Sequence, residues 1–201
     1  MKTMKTLLIA ALATTAVSVA LAHNSMTEYY APAGYMKDFE IRVTHGCQSS
    51  PVKEFRLKIP EGLMRVSVEQ NRDWVIDVKM RKLPKPIPGE GGNMLTETVD
   101  EIIWKNPRSV LPASGRFEGF RFRGLVPNTP GKIIFFRSVN VCEKGEERYV
   151  DLPTEPLEAK TPGLPEKLLK FMTATATPSA FVIIEKPTRP QYPFATPGPK
   201  K

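Results

Sequence analysis

Between residues 37 and 152 the chain is built from short segments whose polarity alternates residue by residue, and such segments have few ways to bury their apolar side. Phe39-Glu40-Ile41-Arg42-Val43 and Phe55-Arg56-Leu57-Lys58-Ile59 set one apolar face against one charged face at the two-residue period of a strand. Residues 74–80, 101–104, 119–123, 132–136 and 147–152 extend the pattern. Turn formers separate them: Pro60-Glu61-Gly62, Pro127-Asn128 and Pro130-Gly131, with Pro84, Pro86, Pro88, Gly89, Gly91 and Gly92 marking a longer loop. A half-apolar strand needs a partner face. About seven of them in series predict an all-β, immunoglobulin-like antiparallel β-sandwich.

The flanks are written differently. Residues 1–22 read as a secretory signal peptide: Lys2 and Lys5, an apolar run from Leu7, and Ala20-Leu21-Ala22 as the cleavage site. The sandwich domain is then expected over residues 23–153. Half of the 20 prolines lie beyond Leu152. Residues 154–201 therefore read as a Pro-rich C-terminal extension, partly disordered, with a helix over 165–172, a strand over 181–185 and an extended, mobile end from 187. The best later candidate for a membrane span, residues 164–184, holds Glu166, Lys167 and Lys170 and is broken by Pro178. The expectation is a secreted or periplasmic protein with no transmembrane segment in the mature chain.

Cleavage after Ala22 makes His23 the first residue, with a free α-amine beside its imidazole. Those two nitrogens can chelate one metal ion, and an amine plus an imidazole favours Cu(II) among the first-row ions. No internal histidine can do this. Cys47 and Cys142 are the only cysteines. In an exported chain a disulfide between them is the default, and a thiolate pair on Cu(I) is the alternative. Cys47 follows the first strong strand and Cys142 the sixth, so a disulfide would either join the sheets or pin a strand end. Losing Lys2 and Lys5 lowers a formal charge of +8 to about +6, thinly spread. No run of about five or six basic residues occurs, so no nucleic-acid partner is expected. The sequence holds no G-x-S-x-G, H-E-x-x-H, P-loop or Rossmann glycine pattern, and no enzyme activity is expected.

Several stretches occur in the order found in one family: Ala22-His23, Ala31-Pro32-Ala33-Gly34, Arg42-Val43-Thr44-His45-Gly46-Cys47, Ile59-Pro60-Glu61-Gly62 with Trp74 after it, Ile103-Trp104, residues 117–124, and Val141-Cys142-Glu143-Lys144-Gly145. Through these the chain resembles the YcnI-type family of exported copper-binding domains, from residue 22 to about residue 153. The resemblance implies an immunoglobulin-like sandwich, Cu(II) held by a single N-terminal histidine brace at His23, and a periplasmic or cell-surface role in copper trafficking or homeostasis. It also implies another copper-handling periplasmic protein as a partner. An acidic ligand of some members aligns with Lys37, and a tryptophan packed near their copper aligns with Tyr149.

Other side chains qualify as additional ligands. Glu28 lies five residues after His23. Met26 and Met36 offer thioethers, His45 a second imidazole, and Tyr149 a phenol. Each has a plainer reading: Glu28 as a solvated carboxylate, the methionines as core filler, His45 as a turn residue and Tyr149 as a half-buried aromatic. Trp74 and Trp104 read as core. The competing function is a metal-free envelope interaction module that uses the sandwich and the Pro-rich tail.

Overall fold

The computed structural model describes residues 23–191 apart from 49, 109–110 and 112–114, so the expected signal peptide and the end of the Pro-rich tail lie outside the described residues. In chain order the strands are β1 (Ser25–Met26), β2 (Tyr30–Pro32), β3 (Met36–Val43), β4 (Val52–Lys58), β5 (Met64–Val68) and β6 (Val75–Pro88). After a short 3-10 turn come β7 (Met94–Lys105), β8 (Glu118–Leu125), β9 (Ile133–Phe136), β10 (Ser138–Cys142) and β11 (Glu146–Tyr149). Helix α1 (Leu164–Ala174) and β12 (Ala180–Glu185) follow.

One sheet has the order β1-β3-β8-β5, a second β11-β10-β4-β7-β6, and a third β2-β12-β9. The alternation in the sequence sets which side each strand buries. Phe39, Ile41 and Val43 of β3, Phe55 and Leu57 of β4, and Phe120 and Phe122 of β8 all point inward. Phe55 stacks on Phe120 across the sheets with ring centroids 4.4 Å apart. Trp74 and Trp104 close on the same Phe120 at 5.0 and 5.1 Å, so both tryptophans belong to the core as read from sequence. On the outer face Arg121 pairs with Glu40 and Arg123 with Asp38 across the β3–β8 rungs.

The structure departs from the sequence reading in three places. Pro84, Pro86 and Pro88 are not in a loop; they extend β6, which runs to Pro88. Because β6 is the outer strand of its sheet, one side of its backbone owes no ladder bond, and an edge strand tolerates proline. The helix and the strand expected beyond residue 153 both form, as α1 and β12, and the second departure is that they pack into the sandwich. β12 pairs antiparallel with β9 and parallel with β2, and Val182 and Ile184 enter the main core. Helix α1 covers this third sheet with Leu164, Leu168 and Phe171, spaced as one helical face, and Phe171 meets Phe135 edge-on at 6.0 Å. Past β12, residue 189 is fastened rather than loose: its backbone N–H donates to the Tyr35 hydroxyl at 2.8 Å, and its guanidinium lies 4.8 Å over the Tyr35 ring. The third departure is β10, a strand not read from the sequence: Val139 and Val141 alternate with Ser138 and Asn140, but the polar pair is the one that faces inward, opposite Leu57 and Phe55.

Candidate metal centre

The site begins on β10 and β11. Their antiparallel register sets Ser138 opposite Tyr149 and Asn140 opposite Glu147. Directly opposed residues in such a pair share a face, so these four side chains form one patch. Asn24 lies against it. Its side-chain amide donates to Ser138 Oγ at 3.0 Å and to Asn140 Oδ1 at 2.9 Å, and Asn140 Nδ2 donates back to Asn24 Oδ1 at 3.3 Å. All three are essentially shut off from solvent.

That anchor puts His23, one residue earlier, against Tyr149, with ring centroids 6.2 Å apart and planes 69° to each other. His45 meets the same tyrosine ring from elsewhere, at 6.5 Å and 79°. The segment carrying His45 is held by a disulfide between Cys47 and Cys142, with an S–S distance of 2.06 Å. This staple joins the loop leaving β3 to the end of β10, and so joins the two sheets. The adjoining turn requires glycine at position 46, where a Cβ would fall 2.0 Å from the Ser50 carbonyl oxygen.

The hydrogen bonds fix the chemical forms. His45 Nδ1 lies 2.6 Å from the Gly46 carbonyl oxygen, which can only accept, so Nδ1 carries a proton and donates to it, leaving Nε2 turned to Tyr149. That Nε2 faces the Tyr149 oxygen at 3.3 Å, and the Tyr149 hydroxyl donates to Glu147 at 2.6 Å. Burial, and then the Glu147 carboxylate, push the Tyr149 phenol far up, so it stays protonated. Tyr149 is thus a neutral neighbour and not a phenolate ligand. Burial holds the His23 imidazole below the ordinary histidine range, and the charge of His45 lowers it further. A neutral imidazole is the form that binds a metal.

Among the described residues two buried side-chain polar atoms have no hydrogen-bond partner, His23 Nε2 and Thr44 Oγ1. Both belong to the segments that carry the histidines. A buried polar atom left in this way costs about 1–3 kcal/mol and points to a missing ion or water. Among the described residues no three His, Cys, Asp or Glu side chains are arranged to hold a metal.

Of the residues singled out from sequence, the fold brings His23, His45 and Tyr149 together. Glu28 instead pairs with Lys37, the residue that aligns with the family's acidic ligand. Met26 lies in the core at 2% exposure, and Met36 sits in the β3–β8 ladder opposite Leu125. Sequence reasoning missed Asn24, Ser138, Asn140 and Glu147. Only Glu147 carried a signal, because it stands two residues before Tyr149 and shares its face of a strand.

Among solved structures, the chain is similar to an uncharacterised protein from Nocardia farcinica with an immunoglobulin-like fold, at 12% identity and a TM-score of 0.56 over 83% of this chain and 99% of that one. That likeness supports the immunoglobulin-like architecture. No curated protein matches the chain. A family described as a domain of unknown function, DUF1775, matches residues 23–167. The match runs from the candidate metal-binding histidine through the first turn of α1, and the chain belongs to this family, the YcnI type that its motifs resemble.

Proposed function

We propose that this is an exported, non-catalytic copper-binding protein that holds one Cu(II) ion through the α-amine and imidazole of a processed His23. The observation that carries the reading is the convergence of two imidazoles, His23 and His45, on the ring of Tyr149, at centroid distances of 6.2 and 6.5 Å. The amine and imidazole of His23 supply two nitrogen donors. His45 Nε2, 3.3 Å from the Tyr149 oxygen, is the proposed further donor, and the Tyr149 ring walls the site. Copper would be cargo, taken up after export because the amine does not exist before cleavage, and passed to another copper-handling protein in the periplasm.

The test is a Cu(II) titration of protein beginning at His23, followed by electron paramagnetic resonance. It is run beside protein with one extra residue before the histidine and beside His23→Ala. A one-to-one complex with nitrogen hyperfine structure is expected, lost in both comparisons while the melting temperature holds. Equal weak binding by all three would remove the copper reading and leave the envelope interaction module in its place.

A further inference from the structure

β10 is the common support of both histidine-bearing segments. Through Cys142 it holds the His45 loop covalently, and through Ser138 and Asn140 it holds Asn24, the neighbour of His23. The two supports differ in kind. The amides of Asn24 and Asn140 each donate to the other, at 2.9 and 3.3 Å, so neither can rotate without breaking both bonds. Ser138 Oγ accepts a further bond from Asn24 at 3.0 Å.

Stability alone does not account for this network. Burying three polar side chains between sheets requires every bond to be made, and apolar residues of matching shape would serve the core equally well. What an apolar contact lacks is direction. β1 contributes only two rungs to its sheet, Ser25 to Arg42 and Met26 to Ile41, and both follow Asn24 in the chain, so neither holds residue 23 directly. One peptide unit separates the locked Asn24 from the His23 backbone nitrogen.

We propose that Asn24, Ser138 and Asn140 are positioning residues that lock the mature N-terminus against the Tyr149 side of the β10–β11 face, pre-setting the amine and imidazole of His23 for a single copper ion. The inference rests on the copper reading above. An unanchored terminal histidine would have to be ordered on binding, at a cost in affinity. The anchored one binds already ordered. Groups that orient metal ligands from behind typically change affinity about 10- to 100-fold when removed.

The experiment measures Cu(II) affinity by chelator competition, well below the melting temperature. It compares the processed wild type, Asn24→Ala, Asn140→Ala and the double variant, with an electron paramagnetic resonance spectrum of each. Each single variant should weaken binding about tenfold or more and shift the copper hyperfine couplings. The double variant should be no worse than Asn24→Ala, because both substitutions release the same anchor. Ser138→Ala, which removes one acceptor and leaves the amide pair, serves if the asparagine variants fail to fold, and should show a smaller shift in the same direction. Lower melting temperatures with unchanged affinity and spectra would overturn the proposal and leave a structural network. If the wild type itself binds no copper, the copper reading falls. Backbone relaxation of residues 23–26 in the metal-free protein then judges the anchor: loosening in Asn24→Ala upholds it, and equal order in both proteins overturns it.

Discussion

The middle of the sandwich and its β10 corner are built on opposite principles. In the middle, Phe55, Trp74 and Trp104 crowd around Phe120 with ring centroids 4.4 to 5.6 Å apart and meet through ring contacts. In the corner, Asn24, Ser138 and Asn140 are as deeply buried but meet through three directional bonds. Apolar packing is strong, cumulative and indifferent to small rotations. A buried amide pair adds little net stability but tolerates only one arrangement. The middle makes the fold, and the corner fixes where the His23 segment and the His45 loop meet.

If that division holds, the two regions should fail differently. Phe120→Ala opens the space between three aromatic neighbours and should cost about 3–5 kcal/mol of unfolding free energy in urea, the largest effect expected of any single change. Copper stoichiometry in the fraction still folded should not move. A loss under about 1 kcal/mol would mean that the sheets collapse onto the gap, and that the middle is less rigid than its stacking implies.

The same division decides what the sequence could show. The strands facing the middle announce themselves: Phe39, Ile41 and Val43, or Phe55 and Leu57, recur at period two because one side of each strand is wholly apolar. The sandwich and the inward tryptophans follow from that pattern. β10 does not follow from it, since its buried Ser138 and Asn140 look in sequence like solvated residues, and burial of a polar side chain is decided by a partner 114 or 116 residues away. Single features of the site were legible through their chemistry: a histidine at an expected cleavage point, two cysteines, a second histidine. Their convergence was not, because it depends on the register of β10 with β11. The Pro84–Pro88 stretch misled for a related reason. Proline reports a missing donor, and only the sheet order shows that at an edge none is needed.

A change at the staple should fall between the two behaviours. Cys47 and Cys142 are 95 residues apart in sequence. Reduction, or replacement of both by serine, should lower stability by about 2–5 kcal/mol. It loosens the His45 loop without touching the Asn24 network, so one-to-one Cu(II) binding through His23 should persist, read by the same titration under a reductant that does not bind copper. A large loss of bound copper would instead mean that the His45 loop, held by the disulfide, supplies a ligand the ion cannot do without, and would break the assignment to the terminal nitrogens alone.

The smallest expected effect is a protonation equilibrium, and it tests how dry the corner is. The His23 ring is held low first by burial and second by the positive charge available at His45, and the ammonium of a processed terminus acts in the same direction. The folded protein thus resists protonating this ring, whereas the unfolded chain takes up its proton as pH falls below about 6.5. In that window the unfolded state binds more protons, so this group's contribution to stability falls as pH drops, until the folded ring titrates as well. Ring resonances in the metal-free protein should give a midpoint below 6.5 for His23. His45→Gln should move it up only part of the way, because burial, the larger cause, remains. Full recovery to the ordinary value in that variant would reverse the order of the two causes and make the corner a charged pair in water. Partial recovery keeps it a desolvated pocket, where the imidazole stays neutral and copper competes with few protons.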